Sequence, residues 1–364
     1  MSNYFDKRDE INFDKIDKVL AELPEYVGYF ITGISPRTSM LTRLNYVTDL
    51  RVFFWYLSKY KFAPKQPDTI LINDLETLKA IDIEKYANTL SSYTYNGQRL
   101  SCGDKAKNRK LSTLRSFFKY LYMKDFIEKN VMLKVDMPKI HDKPIIKLDV
   151  NEVVTLLDTA DYGINLTPRQ KAANERTKVR DIAILSTFLG TGIRVSELVG
   201  LNKNDLDFQN NSFSVTRKGG NKSILYLPDE TVSALRAYLA WLDTEEKKSG
   251  KKVLDKDALF VSFQMDIRRI SVRAVEKLVM KYSKVAAPLK KITPHKLRST
   301  YATNLYRETG DIYIVADVLG HADINTTKKH YAEMSEENKR RAAKVTILRD
   351  NNTGIPTDDD RSEN

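Results

Sequence analysis

Apolar residues recur at three- and four-residue intervals along most of the chain, the spacing of one helix face. Over residues 9–30 the stripe is Ile11, Phe13, Ile16, Val19, Leu20 and Leu23. Ser35-Pro36 has the form of a helix start, serine as N-cap and proline in the first turn. The segment that follows, LTRLNYVTDLRVFFWYLSKY, repeats the spacing. Further helices are predicted over 82–94 and 103–123, the third and fourth of the chain.

The second half alternates between patterns. Helices are predicted over 150–160, 175–190, 195–200, 229–246, 271–284, 294–308, 311–319 and 335–348. Between them, FSVTRKGGNKSILYLP reads as two short strands about a Gly-Gly turn, and Leu259-Phe260-Val261 as one more strand. The fold class is therefore mainly α with a small β-sheet. The predicted organisation is a helical N-terminal extension over 1–34, a helical domain over 35–135, a linker over 136–148 and a second domain over 149–350. A polar acidic tail, predicted to be disordered, covers 351–364.

Charge sharpens this picture. The formal net charge of +12 favours a polyanionic partner. Residues 99–147 hold 13 Lys/Arg against 5 Asp/Glu, whereas residues 1–98 hold 12 against 13. The basic band includes the 103–123 helix, where Lys105, Lys107, Arg109, Lys110, Arg115 and Lys119 interleave with aromatic residues. Two uses fit such a helix: a solvated basic face over an aromatic core face, or the same basic face on nucleic-acid phosphates. The single cysteine, Cys102, excludes an internal disulfide and argues against a cysteine-based zinc site. No apolar run reaches the roughly 18 residues of a membrane span, and the charged N-terminus does not have the form of a secretory signal. A cytoplasmic location is expected.

Four segments carry candidate chemistry. In TGIRVSEL, residues 191–198, a Thr-Gly turn sets Arg194 at the start of a short helix, three residues from Glu197. In TRKGGNK, residues 216–222, Lys218 directly precedes the turn, and Lys222 competes with it as the tip lysine. In TPHKLRSTYAT, residues 293–303, Thr293-Pro294 opens a helix with His295 and Arg298 on one face of its N-terminal turns. In LGHADINTTKKHYAEM, residues 319–334, His321 follows a Leu-Gly turn and Tyr331 comes ten residues later. Taken singly, each is an ordinary capped helix or turn, and Tyr331 is one of 19 tyrosines.

Their order, Arg-Lys-His-Arg-His-Tyr, resembles the signature boxes of the tyrosine recombinases, also called phage-type integrases. The likeness is close over residues 145–350 and looser over 35–130, which resembles the family's core-binding domain. SVTRKGG, VEKLVMKYSK and TPHKLR look most like the Xer branch, in particular the Gram-positive enzymes that work with one recombinase. The spacing of ten from His321 to Tyr331 departs from the nine of many members.

The resemblance implies a DNA strand-exchange enzyme working through a 3′-phosphotyrosine. Arg194, Lys218, His295, Arg298 and His321 would assemble round one phosphate, Tyr331 would attack it, and Glu197 would support Arg194. No metal or cofactor is implied. Two domains would close as a C-shaped clamp on double-stranded DNA at a roughly palindromic site, and two sites would assemble a homotetramer through exchange of the 335–348 helix. A DNA translocase or directionality factor would be an accessory partner, and the bacterial nucleoid the setting. Chromosome dimer resolution is the expected role. Integration or excision of a mobile element is the alternative, followed by a type IB topoisomerase or a non-catalytic DNA-binding protein.

Overall fold

The helical spacing is realised throughout the computed structural model, which describes residues 4–139, 145–217 and 220–320. The chain divides into two units, Met1–Lys143 and Pro144–Asn364. Among the described residues no helix is long and apolar enough to cross a membrane.

The first unit contains α1 (Tyr4–Leu20), α2 (Glu25–Gly33), α3 (Met40–Tyr56), α4 (Ile72–Glu76), α5 (Ala80–Thr89), a hairpin of β1 (Tyr93–Tyr95) and β2 (Gln98–Leu100), and α6 (Asp104–Met123). The stripe expected as one helix over 9–30 is broken into α1 and α2 at Pro24, which stands as the N-cap of α2. Ser35-Pro36 opens only a single 3-10 turn, Ser35–Arg37. The true cap of α3 is Ser39, whose hydroxyl accepts from the Thr42 amide. The helices of the expected 1–34 extension share a core with those that follow: Ile16, Val27, Phe30 and Ile34 pack in one cluster with Phe53, Phe54 and Phe117.

That core explains the spacing of α6. Leu111, Leu114, Phe117, Phe118 and Leu121 form its buried face. Phe117 meets Phe30 edge to face with ring centres 5.3 Å apart, an arrangement aromatic quadrupoles favour. The carboxylate of Asp49, on α3, is buried in this unit at 1% exposure. It accepts hydrogen bonds from Arg109, from Lys110 at 2.9 Å and from Thr113 at 3.0 Å, all on α6.

The second unit begins its helices with α7 (Val150–Tyr162), α8 (Pro168–Glu175), α9 (Lys178–Thr191) and α10 (Val195–Gly200). Strands β3 (Leu206–Asp207), β4 (Ser212–Thr216) and β5 (Lys222–Tyr226) form an antiparallel sheet in the order β3-β4-β5. Then come α11 (Asp229–Ser249), the two-residue strands β6 (Val261–Ser262) and β7 (Arg268–Arg269), α12 (Val272–Ala286), α13 (Pro294–Thr309) and α14 (Ile312–Leu319). The strand expected at 259–261 is thus displaced to Val261–Ser262. The central helix is α9, which packs against α7, α11 and α13 and buries Ala183, Ile184, Leu185 and Phe188. The helix expected over 335–348, the tail over 351–364, Lys218, His321 and Tyr331 lie outside the described residues.

Candidate active site

Three segments distant in the chain meet at the C-terminal end of α14. The first is the turn between α9 and α10. Gly192 ends α9 with φ of +63°, and a Cβ there would lie 2.4 Å from the Tyr301 ring, so conformation and space both require glycine. The next turn is the N-terminus of α10. Glu197 accepts the Arg194 amide at 3.0 Å, satisfying one of the helix's open donors, and its other oxygen accepts from the Arg194 guanidinium at 2.8 Å. The ion pair expected from the i,i+3 spacing is therefore present, with Glu197 buried beneath a partly exposed arginine.

The second segment is α13. Thr293 and Pro294 open it as the sequence predicts. Arg298, 5% exposed, donates to the Gly192 carbonyl at 2.7 Å and to the Leu319 carbonyl. His295 lies one turn earlier on the same face, exposed, and its backbone carbonyl accepts from the Ser299 hydroxyl at 3.0 Å.

The third segment is the end of β4, and here the structure supplies a residue the sequence reading passed over. Arg217 follows β4 directly. Its guanidinium donates to the Leu319 carbonyl at 3.0 Å and to the Val318 carbonyl at 2.9 Å, and it approaches Glu197 to 3.7 Å. Burial holds this guanidinium below its ordinary pKa; Glu197 pulls the other way, Arg194 adds to the lowering, and Asp317 counters it. Arg194 completes the set by donating to the Gly320 carbonyl at 3.1 Å.

The convergence has a plain electrostatic cause. A helix C-terminus carries carbonyls without intrahelical partners and the negative end of the dipole. Three arginines answer those of Val318, Leu319 and Gly320. Gly320 itself has φ of +60°, and a Cβ would come within 2.9 Å of the Arg217 guanidinium. The residue after Gly320 in the sequence is His321. Planar guanidinium groups with several donors each, held in fixed orientation, are suited to phosphate oxygens.

Of the two hairpin lysines, Lys222 is the exposed first residue of β5, paired with Thr216 across the sheet. The candidate DNA-contacting residues of α6 divide. Lys105 and Lys119 are exposed. Lys107 donates to the Ser91 hydroxyl at 2.7 Å, and Arg115 to the Val135 carbonyl at 2.9 Å. Arg109 pairs with Asp49 while remaining half exposed. Lys110 is a correction: its side chain is 8% exposed and bound to Asp49, so it faces the core and not a DNA backbone.

Comparison with known proteins agrees in both units. The family model described as phage integrase family matches residues 147–338, and that of the phage integrase N-terminal SAM-like domain matches residues 30–125. A tyrosine recombinase XerC of Caldanaerobacter subterraneus subsp. tengcongensis is 34% identical over 352 residues, 94% of this chain and 91% of that protein. A tyrosine recombinase XerS of Lactococcus lactis subsp. cremoris is 30% identical over 358 residues, 92% and 98% respectively. Among solved structures, the XerH site-specific recombinase bound to palindromic difH substrate aligns with a TM-score of 0.61 at 21% identity, over 84% of this chain and 80% of that one. A lambda integrase dimer bound to a COC′ core site aligns at 0.57 and 17% identity, over 83% and 96%.

Proposed function

Because the chain belongs to the phage integrase family, the tyrosine recombinases, we propose that it is a Xer-type site-specific recombinase that resolves chromosome dimers. The observation that carries the reading is the meeting of Arg194 and Arg298, 104 positions apart, on the two residues that precede His321. Full-length similarity to XerC and XerS proteins favours this role over mobile-element integration. Likeness to a transposon integrase, at 17% identity, is one of fold.

In the proposed reaction the Tyr331 oxygen attacks phosphorus and the bond to the 5′ oxygen breaks. His295 takes the phenolic proton, which an unperturbed pKa near 10 otherwise retains at neutral pH. Arg194, Arg298 and His321 hydrogen-bond to the phosphoryl oxygens, where charge gathers in the transition state. Lys218 protonates the departing 5′ oxygen. A 5′-hydroxyl of the partner strand then attacks the 3′-phosphotyrosine, releasing Tyr331 and restoring the phosphodiester, so bond energy is conserved throughout. The chain's own cationic groups supply the charge stabilisation. Binding of a roughly palindromic duplex and assembly of a tetramer belong to the same proposal.

The test is covalent capture. With a nicked suicide substrate, the protein should form an adduct stable to denaturant, and Tyr331→Phe should abolish it while leaving DNA binding intact. An adduct that persists in the variant removes Tyr331 as the nucleophile. Mapping binding sites on the host genome addresses the role: one site opposite the replication origin supports dimer resolution, and sites at element ends overturn it.

A further inference from the structure

The hairpin of β4 and β5 and the end of α14 are joined by one side chain. Arg217 is the first residue after β4, and its amide donates to the Asn221 carbonyl at 2.7 Å, closing the ladder. Its guanidinium crosses to α14, spans the Val318 and Leu319 carbonyls, and lies beside the Glu197 carboxylate. The side chain is 9% exposed. A fork with two parallel donors on adjacent carbonyls fixes orientation as well as distance, which a single ammonium cannot do.

The two sides of this link are unequally secured. The end of α14 has other anchors, since Leu319 also accepts from Arg298 and Gly320 accepts from Arg194. At the hairpin end, among the described residues, Arg217 is the side chain that reaches the α14 terminus. Removing it therefore leaves the helix end with its two other arginines and takes away this side-chain link from the hairpin stem. Lys218 is the next residue in the chain.

We propose that Arg217 is a positioning residue for strand cleavage: it clamps the hairpin stem to the C-terminal turn of α14, and protonation of the leaving group depends on that clamp. The inference rests on the reading of Lys218 as the leaving-group acid.

The deciding experiment changes the leaving group. Single-turnover cleavage is measured for wild type, Arg217→Gln, Lys218→Ala and Arg298→Lys on a normal site and on one with a 5′-bridging phosphorothiolate at the scissile bond. A thiolate leaves without a proton, because thiols are far more acidic than alcohols. On the normal site, Arg217→Gln should lose about 10²-fold in cleavage, within the range of a displaced general acid, while still binding uncleaved DNA. On the sulfur-bridged site Arg217→Gln and Lys218→Ala should both recover, and Arg298→Lys should not. Rescue of Lys218→Ala alone overturns the proposal, since Arg217 would then act on the phosphate or on folding. Rescue of neither overturns it together with the acid role of Lys218. The reading of the chain as a recombinase is judged separately, by the wild-type adduct on both substrates. Should Arg217→Gln fail to fold, Arg217→Lys carries the same comparison: one donor reaches one carbonyl, the defect is smaller, and the same rescue is required.

Discussion

Two buried carboxylates, Asp49 in the first unit and Glu197 in the second, each draw two cationic side chains, yet they serve opposite ends. Asp49 takes all its side-chain donors from one helix, α6, and Lys110 is sealed from solvent with it. The cluster fastens α6 to α3, and of its two cations Arg109 alone stays half exposed. Glu197 takes its donors from two segments, and the guanidiniums it steadies reach on to a third. The lesson is that positive charge in a sequence marks a ligand site only where the buried anion beneath it leaves donors unspent. By charge alone, the basic face of α6 fits nucleic-acid phosphates; in the folded chain part of that charge belongs to the core.

Substitutions separate the two clusters. The largest effect is expected from Asp49→Ala, which strands Lys110 in the core and should cost about 3–5 kcal/mol of stability, read as the urea midpoint. Cleavage per folded molecule should not change; a selective loss of cleavage would mean that Asp49 serves the site. Next comes Arg194→Ala, expected to lower single-turnover cleavage by about 10²–10³-fold with a small change in melting temperature. A large drop in melting temperature with normal residual chemistry would make Arg194 a structural residue like Lys110. Smaller is Lys110→Met, which exchanges a buried cation for an apolar chain of similar length. It should lower stability by about 1–3 kcal/mol, because Asp49 loses one hydrogen bond to a charged donor. DNA affinity should keep its salt dependence, and a shallower salt slope would place Lys110 on the DNA after all. The smallest effect is expected from Lys119→Ala or Lys105→Ala: a modest affinity loss, equal across sequences, with the salt slope reduced by about one in each case. An unchanged slope would remove that lysine from the interface.

Much of the fold was readable because its elements are long and periodic. The face of α6, with Leu111, Leu114, Phe117, Phe118 and Leu121, is legible from spacing alone. So is the start of α13 at Thr293-Pro294. Local chemistry was less legible where two signals competed. Ser35-Pro36 and Ser39 both fit a helix start; the first opens a single 3-10 turn, and Ser39, whose hydroxyl accepts from the Thr42 amide, caps α3. The helix expected over 82–94 ends at Thr89, and Asn96-Gly97 turns the chain into a hairpin instead, both residues with positive φ. That dipeptide is a strong turn signal and was available in the sequence. Within the site, Arg194 and Glu197 share one short motif and Arg298 stands in another, and the order of those motifs along the chain is what marks them. Arg217 was overlooked because TRKGG directs attention to its lysine, and nothing local says that an arginine at a strand end will reach a helix more than 100 residues on. The matching sign, a glycine at 320 that leaves room for the guanidinium, has meaning only once the two are seen together.

The shared acceptor at Leu319 has a consequence for speed. An arginine on a loose tether must shed rotamer freedom and water when a phosphate arrives, and that reorganisation would add to the barrier of each round of cleavage. Backbone carbonyls cannot drift away or dissociate, so a guanidinium resting on them is oriented once, when the chain folds, and remains so between substrates. The end of one short helix thereby serves as a permanent rehearsal partner for the phosphate.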